Sequence, residues 1–279
     1  MSSLFMRFPG NKAKALTLSY DDGVEQDVRL ISILNKHGIK CTFNINSGLF
    51  SPEGTVFEKG QIHRRMTKKE AVELYKTSGH EVAVHGLTHP FLEQLPSNIA
   101  SYEIIQDRKN LEYLFGTIIR GMAYPFGTFS DEVVAVLKAA GIVYSRTVMD
   151  TEDFRLPTDW LRLPATCHHN NPKLNELTDR FLTQSPKSAP WLFYLWGHSY
   201  EFESNDNWNV IEEFSEKIGG KDEVWYATNI EIYDYMEAYH RLIFNVDASM
   251  VYNPTAITLF FEYYNRTYEI NSGSTLRLS

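Results

Sequence analysis

The chain has 279 residues, 43% apolar and 22% charged, with a formal net charge of −8 at pH 7. That length and apolar share can bury a sizeable core and exclude a disordered tail, while the acidic balance without any Lys/Arg-rich run argues against nucleic acid as a partner. The two cysteines, Cys41 and Cys167, form no CxxC pair, which rules out a zinc ribbon or dithiol site, and no apolar run approaches the roughly 18 residues of a membrane span.

Residues 1–10 hold no apolar stretch behind a basic start, so no secretory signal is read there and a cytoplasmic location is expected. Alternation at 16, 18 and 20 predicts a first strand, broken at Gly23. Val28, Ile31, Ile33 and Leu34 give helical spacing closed by Gly38, and residues 40–45 form a second strand. Thr67 and Glu70 are spaced as a capping box before a helix ending at Gly79, with a third strand at 81–84. A helix is predicted over 97–115, a strand over 118–124, and a helix from Ser130 to Ala140 stopped by Gly141. Strands near 143–148 and 160–166 and a helix over 174–182 follow. Residues 191–196 are apolar throughout, as in a strand buried on both faces. Helices at 209–218 and 230–242 flank a short strand at 224–226, and residues 255–268 read as a β extension. Repeated strand–helix units, about seven of them, predict an α/β fold with a parallel sheet. Residues 51–65 and 150–159 are predicted loops.

Two segments carry chemistry. Ser19-Tyr20-Asp21-Asp22-Gly23 closes the first strand with adjacent carboxylates, and a bend at Gly23 is expected to turn both toward one cavity. Two like charges this close call for a cation or a proton, although the same residues alone also make an ordinary solvated turn. His85-Gly86-Leu87-Thr88-His89 follows the third strand. Histidines four apart share one side of a helical turn and can share a metal; alone they are also two unrelated surface histidines. Both segments follow the C-terminal ends of strands, the face where barrel enzymes place their chemistry. Asp22, His85 and His89 together supply three protein ligands and leave positions for water and substrate.

These residues resemble the motifs of the polysaccharide deacetylases of carbohydrate esterase family 4. The family's T-F-D-D-G is matched by residues 19–23, and its H-[ST]-x-x-H by His85 and His89. Its R-x-P-Y-G is matched loosely by Ala123-Tyr124-Pro125-Phe126-Gly127, and its L-x-H by Trp196-Gly197-His198. The resemblance implies a distorted (β/α)7 barrel over residues 1–242, with 243–279 as a β extension on the same domain. It also implies one divalent ion held by Asp22, His85 and His89, Zn2+ first and Co2+, Ni2+ or Mn2+ as alternatives. Asp21 would be the general base, His198 the general acid, and a backbone N–H near Phe126 would help stabilise the oxyanion.

The chain departs from the family where it has Ala123 in place of the arginine that orients the base; Arg120 is a candidate substitute, an ordinary ion pair being equally open. Ser199 stands where an Asp is common, and Asp153 is a candidate partner for His198, against the plain reading of a charged loop. Tyr124, Trp196 and one of His168 and His169 are candidate substrate contacts, adjacent strand residues being unable to point the same way; core packing is the stronger reading for Trp196, and ordinary loop histidines the competing one for 168 and 169. Tyr200, Phe202 and Trp208 compete between a sugar wall and core packing, and Glu201, Glu203 and Asp206 read as rim charges. The expected function is deacetylation of an N- or O-acetylated polysaccharide or oligosaccharide. An amide or imide (ureide-like) hydrolase of the same superfamily and a non-catalytic carbohydrate-binding module are the alternatives.

Overall fold

The structure, a computed structural model, describes residues 4–278; the start of the N-terminal segment, 1–3, and Ser279 lie outside the described residues. The chain runs through β1 (Leu4–Arg7), β2 (Lys14–Asp21), α1 (Asp27–Lys36) and β3 (Cys41–Ile45). After a long loop come α2 (Lys68–Ser78), β4 (Glu81–Val84), α3 (Ser97–Phe115), β5 (Gly121–Ala123), α4 (Asp131–Ala139) and β6 (Tyr144–Asp150). Then follow β7 (Leu163–Ala165), β8 (Cys167–His168), α5 (Leu174–Thr183), β9 (Trp191–Gly197), α6 (Tyr200–Ser204), α7 (Asn209–Ile218), β10 (Val224–Tyr226) and α8 (Asn229–His240). The C-terminal strands are β11 (Ile243–Phe244), β12 (Met250–Tyr252), β13 (Leu259–Tyr263), β14 (Arg266–Ile270) and β15 (Thr275–Arg277).

The main sheet is parallel, in the order β7-β6-β5-β4-β3-β2-β9-β8, with β10 beside β2. Its two outermost strands are separated in sequence by Thr166 alone, whose N–H donates to the Tyr194 carbonyl at 2.8 Å. Segment 163–168 therefore pairs with β6 through its first half and with β9 through its second. The sheet curls back onto itself through one kinked strand, giving the distorted seven-strand ring expected of this α/β chain. The ladder is not continuous around it, since the register also shifts between Arg146 and Asp150.

Local sequence explains the elements. Every residue of β2, and all of β9 but Trp191, is buried, as helices on the outside of a parallel ring require. Thr67 and Glu70 satisfy each other's backbone N–H at the start of α2, and Gly79 ends it at φ 78°. The strand predicted over 118–124 is cut to three residues: Ile118 is exposed, and Pro125 has no N–H to continue the ladder. Residues 160–162 form a single turn capped by Asp159 in place of the expected strand start. Beyond α8, β13 pairs with β1 as well as β14, so Leu4–Arg7 is built into the C-terminal extension. Met6 and Phe8 share a second core there with Tyr235 and Phe261. No helix among the described residues is long and apolar enough to cross a membrane.

Candidate active site

The chemistry-bearing side chains gather at the C-terminal ends of the parallel strands. Asp21 is the last residue of β2 and is buried. Asp22 follows with φ 85° and Gly23 with φ 68°, so the turn away from the strand begins at Asp22 itself and not at the glycine. This left-handed step brings consecutive carboxylates to the same side. Asn44 on β3 donates to Asp21 Oδ1 at 2.8 Å.

His85 leaves β4 buried and donates from Nδ1 to the Ala123 carbonyl at 2.8 Å. That bond fixes the tautomer and leaves Nε2 with its lone pair free, buried and without a hydrogen-bond partner. Segment 85–89 is not a helical turn, as its spacing suggested: Gly86 has φ 76° and His89 φ 57°. The irregular turn still brings the two rings within 4.7 Å. Helix α3 braces it, with Glu103 accepting from the N–H and hydroxyl of Thr88 and Asp107 accepting from the N–H of His85. Burial lowers the pKa of His85 and pushes that of His89 down to about 4, so both rings are neutral near pH 7. One ligand atom each from Asp22, His85 and His89 lies within 4.8 Å of the others. Two neutral imidazoles, one carrying an orphaned buried lone pair, and an ionised carboxylate fit a divalent ion.

An arginine reaches Asp21 from an unexpected direction. Arg120 precedes β5, at the opposite end of the ring, and pairs with Asp234 at 2.5 Å. Instead Arg146 on β6, the register partner of Ala123, extends its guanidinium to Asp21 Oδ2. The pair is fully buried, and Trp196 lies over the guanidinium at 4.3 Å with its Nε1–H donated to Asp150. Burial alone would raise the Asp21 pKa; Arg146, with His85 and His198, holds it below the usual range.

His198 follows β9, with Nε2 3.8 Å from Asp21 Oδ2 and Nδ1 3.4 Å from Glu201 Oε1. Burial disfavours its charge, but Glu201 and Asp21 outweigh that and raise its pKa. Asp153 does not reach it; that carboxylate caps the Phe154 N–H and pairs with Arg155. Glu201, read as a rim charge, is the partner. His168 and His169 both converge on it, with Nε2 atoms 3.1 and 3.0 Å from Oε2. The rule that only one could do so fails because β8 ends at His168 and the chain turns there. Gly197 makes room: a Cβ there would lie 2.0 Å from His169 Nδ1.

Tyr124 is not a cleft residue. It is 1% exposed, packs on Phe129 and donates its hydroxyl to the Leu161 carbonyl. Trp196 is likewise buried behind Arg146, and Phe202 lies in the core. The open aromatic surface is Phe126, 48% exposed at φ 59°, stacked on Phe91 at 3.8 Å and edge-on to His89 at 4.5 Å. Two residues of the 51–65 loop, absent from any motif, also reach the site. Arg65 donates to Asp22 Oδ1 at 2.8 Å, and His63 Nε2 lies 3.2 Å from Asp22 Oδ2. Their spacing beside the Thr67 cap gave no signal of this.

Beneath the site, Asp27 on α1 is fully buried and accepts from Tyr75 and Ser199, each at 2.5 Å. Burial pushes its pKa up to about 7. A folded-state value above the unfolded one of about 3.9 means that protonation favours the fold. The contribution is full below about pH 4 and is lost as pH rises to about 7. In urea melts from pH 4 to 8, Asp27→Asn should lose less stability with rising pH than the parent, by on the order of a few kcal/mol. Parallel pH profiles would contradict this.

Comparison with known proteins gives a consistent setting. Residues 9–145 match the model of the polysaccharide deacetylase family. A chitooligosaccharide deacetylase of Sinorhizobium fredii is 24% identical over 151 residues, 53% of this chain and 63% of the relative. The match thus spans under two thirds of that relative's length. Among solved structures, a putative polysaccharide deacetylase from Mycobacterium smegmatis superposes with a TM-score of 0.58. It is 18% identical, covering 84% of this chain and 93% of that one. A family 4 carbohydrate esterase from Streptomyces lividans, in complex with acetate, gives a TM-score of 0.51 at 14% identity, covering 77% and 93%. At these identities the superpositions establish a shared fold.

Proposed function

We propose, for a chain whose residues 9–145 match the model of the polysaccharide deacetylase family, that it is a metal-dependent hydrolase removing acetyl groups from an N- or O-acetylated polysaccharide or oligosaccharide. The observation that carries this reading is the meeting of Asp22, His85 and His89 with an Asp21–Arg146 pair and His198 at one end of the ring.

Asp22, His85 and His89 are the residues that would hold the ion. A divalent ion so held supplies a polarised acetyl carbonyl and an acidified water. The chain's own groups do the rest. Asp21, kept ionised by Arg146, accepts the proton of the attacking water. His198, whose pKa Glu201 and Asp21 raise, is the proton donor to the departing amine or alkoxide. The N–H of Phe126, on its left-handed turn, is the candidate donor to the developing oxyanion. The exposed Phe126–Phe91 stack offers a face for the C–H side of a pyranose, in the role first expected of Tyr124 and Trp196. A pure binding module has no need of a buried carboxylate–guanidinium pair beside His198.

Acetate release from acetylated chitooligosaccharides and acetylated xylan should disappear with a chelator and return with Zn2+ or Co2+. An Asp22→Ala, His85→Ala double variant should stay at background. Full activity in that variant would overturn the metal-dependent reading.

A further inference from the structure

Beside the first ligand set lies a second cluster that the proposed reaction does not require in full. His168, His198 and Glu201 each bring one ligand atom within 4.8 Å of the others. Three imidazole nitrogens stand 3.0–3.4 Å from the Glu201 carboxylate. At such distances N–H donors would be expected to aim at the oxygens. These are ion-pair contacts, yet Glu201 Oε2, His198 Nδ1 and both nitrogens of His169 are buried without a well-aligned hydrogen bond. His169 is 1% exposed, so water does not readily satisfy it. Three imidazoles and a single carboxylate with this poor alignment leave buried lone pairs that a cation between them would satisfy.

We propose that His168 Nε2, His198 Nδ1 and Glu201 form a second divalent-cation site, with His169 closing its inner side. Mixed imidazole and carboxylate donors suit Zn2+ or Co2+ rather than Mg2+ or Ca2+. The second site is the weaker of the two. His168 Nδ1 accepts the Asn170 N–H at 3.1 Å, and binding at Nε2 requires the ring proton to move to Nδ1 and that bond to be given up. His85, by contrast, already has its tautomer fixed for binding. The inference builds on the proposed function in one respect: His198 belongs to both settings. An ion on Nδ1 draws His198 away from its proton-delivering role, so filling the second site inhibits.

Equilibrium dialysis of the metal-free chain against Zn2+, with ions counted by elemental analysis, should find two ions per chain. Co2+ titration followed by visible absorption should show two steps, a readout that needs no variant. His168→Ala should bind one ion, and so should Asp22→Asn, His89→Ala. Turnover should rise through the first equivalent and fall through the second, and His168→Ala should show no fall relative to its own maximum. A single step and one ion in the parent, lost in Asp22→Asn, His89→Ala and kept in His168→Ala, would overturn the second site while leaving the first standing. One ion lost in His168→Ala and kept in the other variant would overturn the first assignment instead.

Discussion

Arg146→Met should lower the unfolding free energy at pH 7 by about 3–5 kcal/mol, because it strands a buried carboxylate while keeping the volume filled. Asp21 is buried beside Arg146, and Trp196 seals the guanidinium from the other side. The pH dependence carries the sign. In the parent, the pair holds the Asp21 pKa down, so its contribution is present above the unfolded carboxylate pKa of about 3.9 and is lost as pH falls through the depressed folded value. Without Arg146 the burial contribution dominates and the carboxyl rises above its usual range, so the variant's deficit should shrink on acidification. Urea denaturation between pH 4 and 8 measures both. Adding Asp21→Asn to Arg146→Met should recover part of the loss, since no charge then remains unpaired. A variant within about 1 kcal/mol of the parent at pH 7 would show that the pair does not set the stability of this region.

Asp21→Asn alone should reduce kcat by about 10²–10⁴-fold, the usual weight of a positioned proton acceptor. The amide keeps the shape and the Asn44 contact side but cannot take a proton. Metal content should stay at the parent value, because Asp22, His85 and His89 are untouched. The two readouts separate loss of the base from loss of the ion. Undiminished acetate release with retained metal would remove Asp21 from the proposed mechanism.

Much of this was legible from residue patterns. Period-two and all-apolar runs placed β2, β3, β4 and β9, and the Thr67/Glu70 and Ser130 caps placed α2 and α4. The position of Asp22, His85 and His89 after strand ends brought them together without knowledge of the turn that joins them. Residues that act across the ring were not legible. Arg146 reaches Asp21 from a position that register places beside Ala123, and register between strands is invisible in a linear motif. An arginine amid the buried stretch Tyr144–Ser145–Arg146–Thr147 was the available signal. Glu201 looked like one acid among several, since α6 is only five residues long and shows no apolar period to orient it. His63 and Arg65 reach Asp22 from a loop whose path no periodicity describes. Tyr124 was misplaced for a related reason: its ring turns inward onto Phe129, while the next residue but one faces out.

Asp22, His89 and Phe126 share a feature that has nothing to do with their charges or rings. Each is a non-glycine residue in the left-handed region, at φ 85°, 57° and 59°. Such positions cost on the order of 1 kcal/mol or more apiece, and glycine or asparagine would relieve much of it. The mouth of the ring is thus held in a state that folding alone would not select. A lineage of this chain released from the proposed catalysis would gain stability by drifting to glycine at these three positions, with its core untouched. Decay of function here would leave a sturdier protein, and its earliest trace would be in the backbone of the turns.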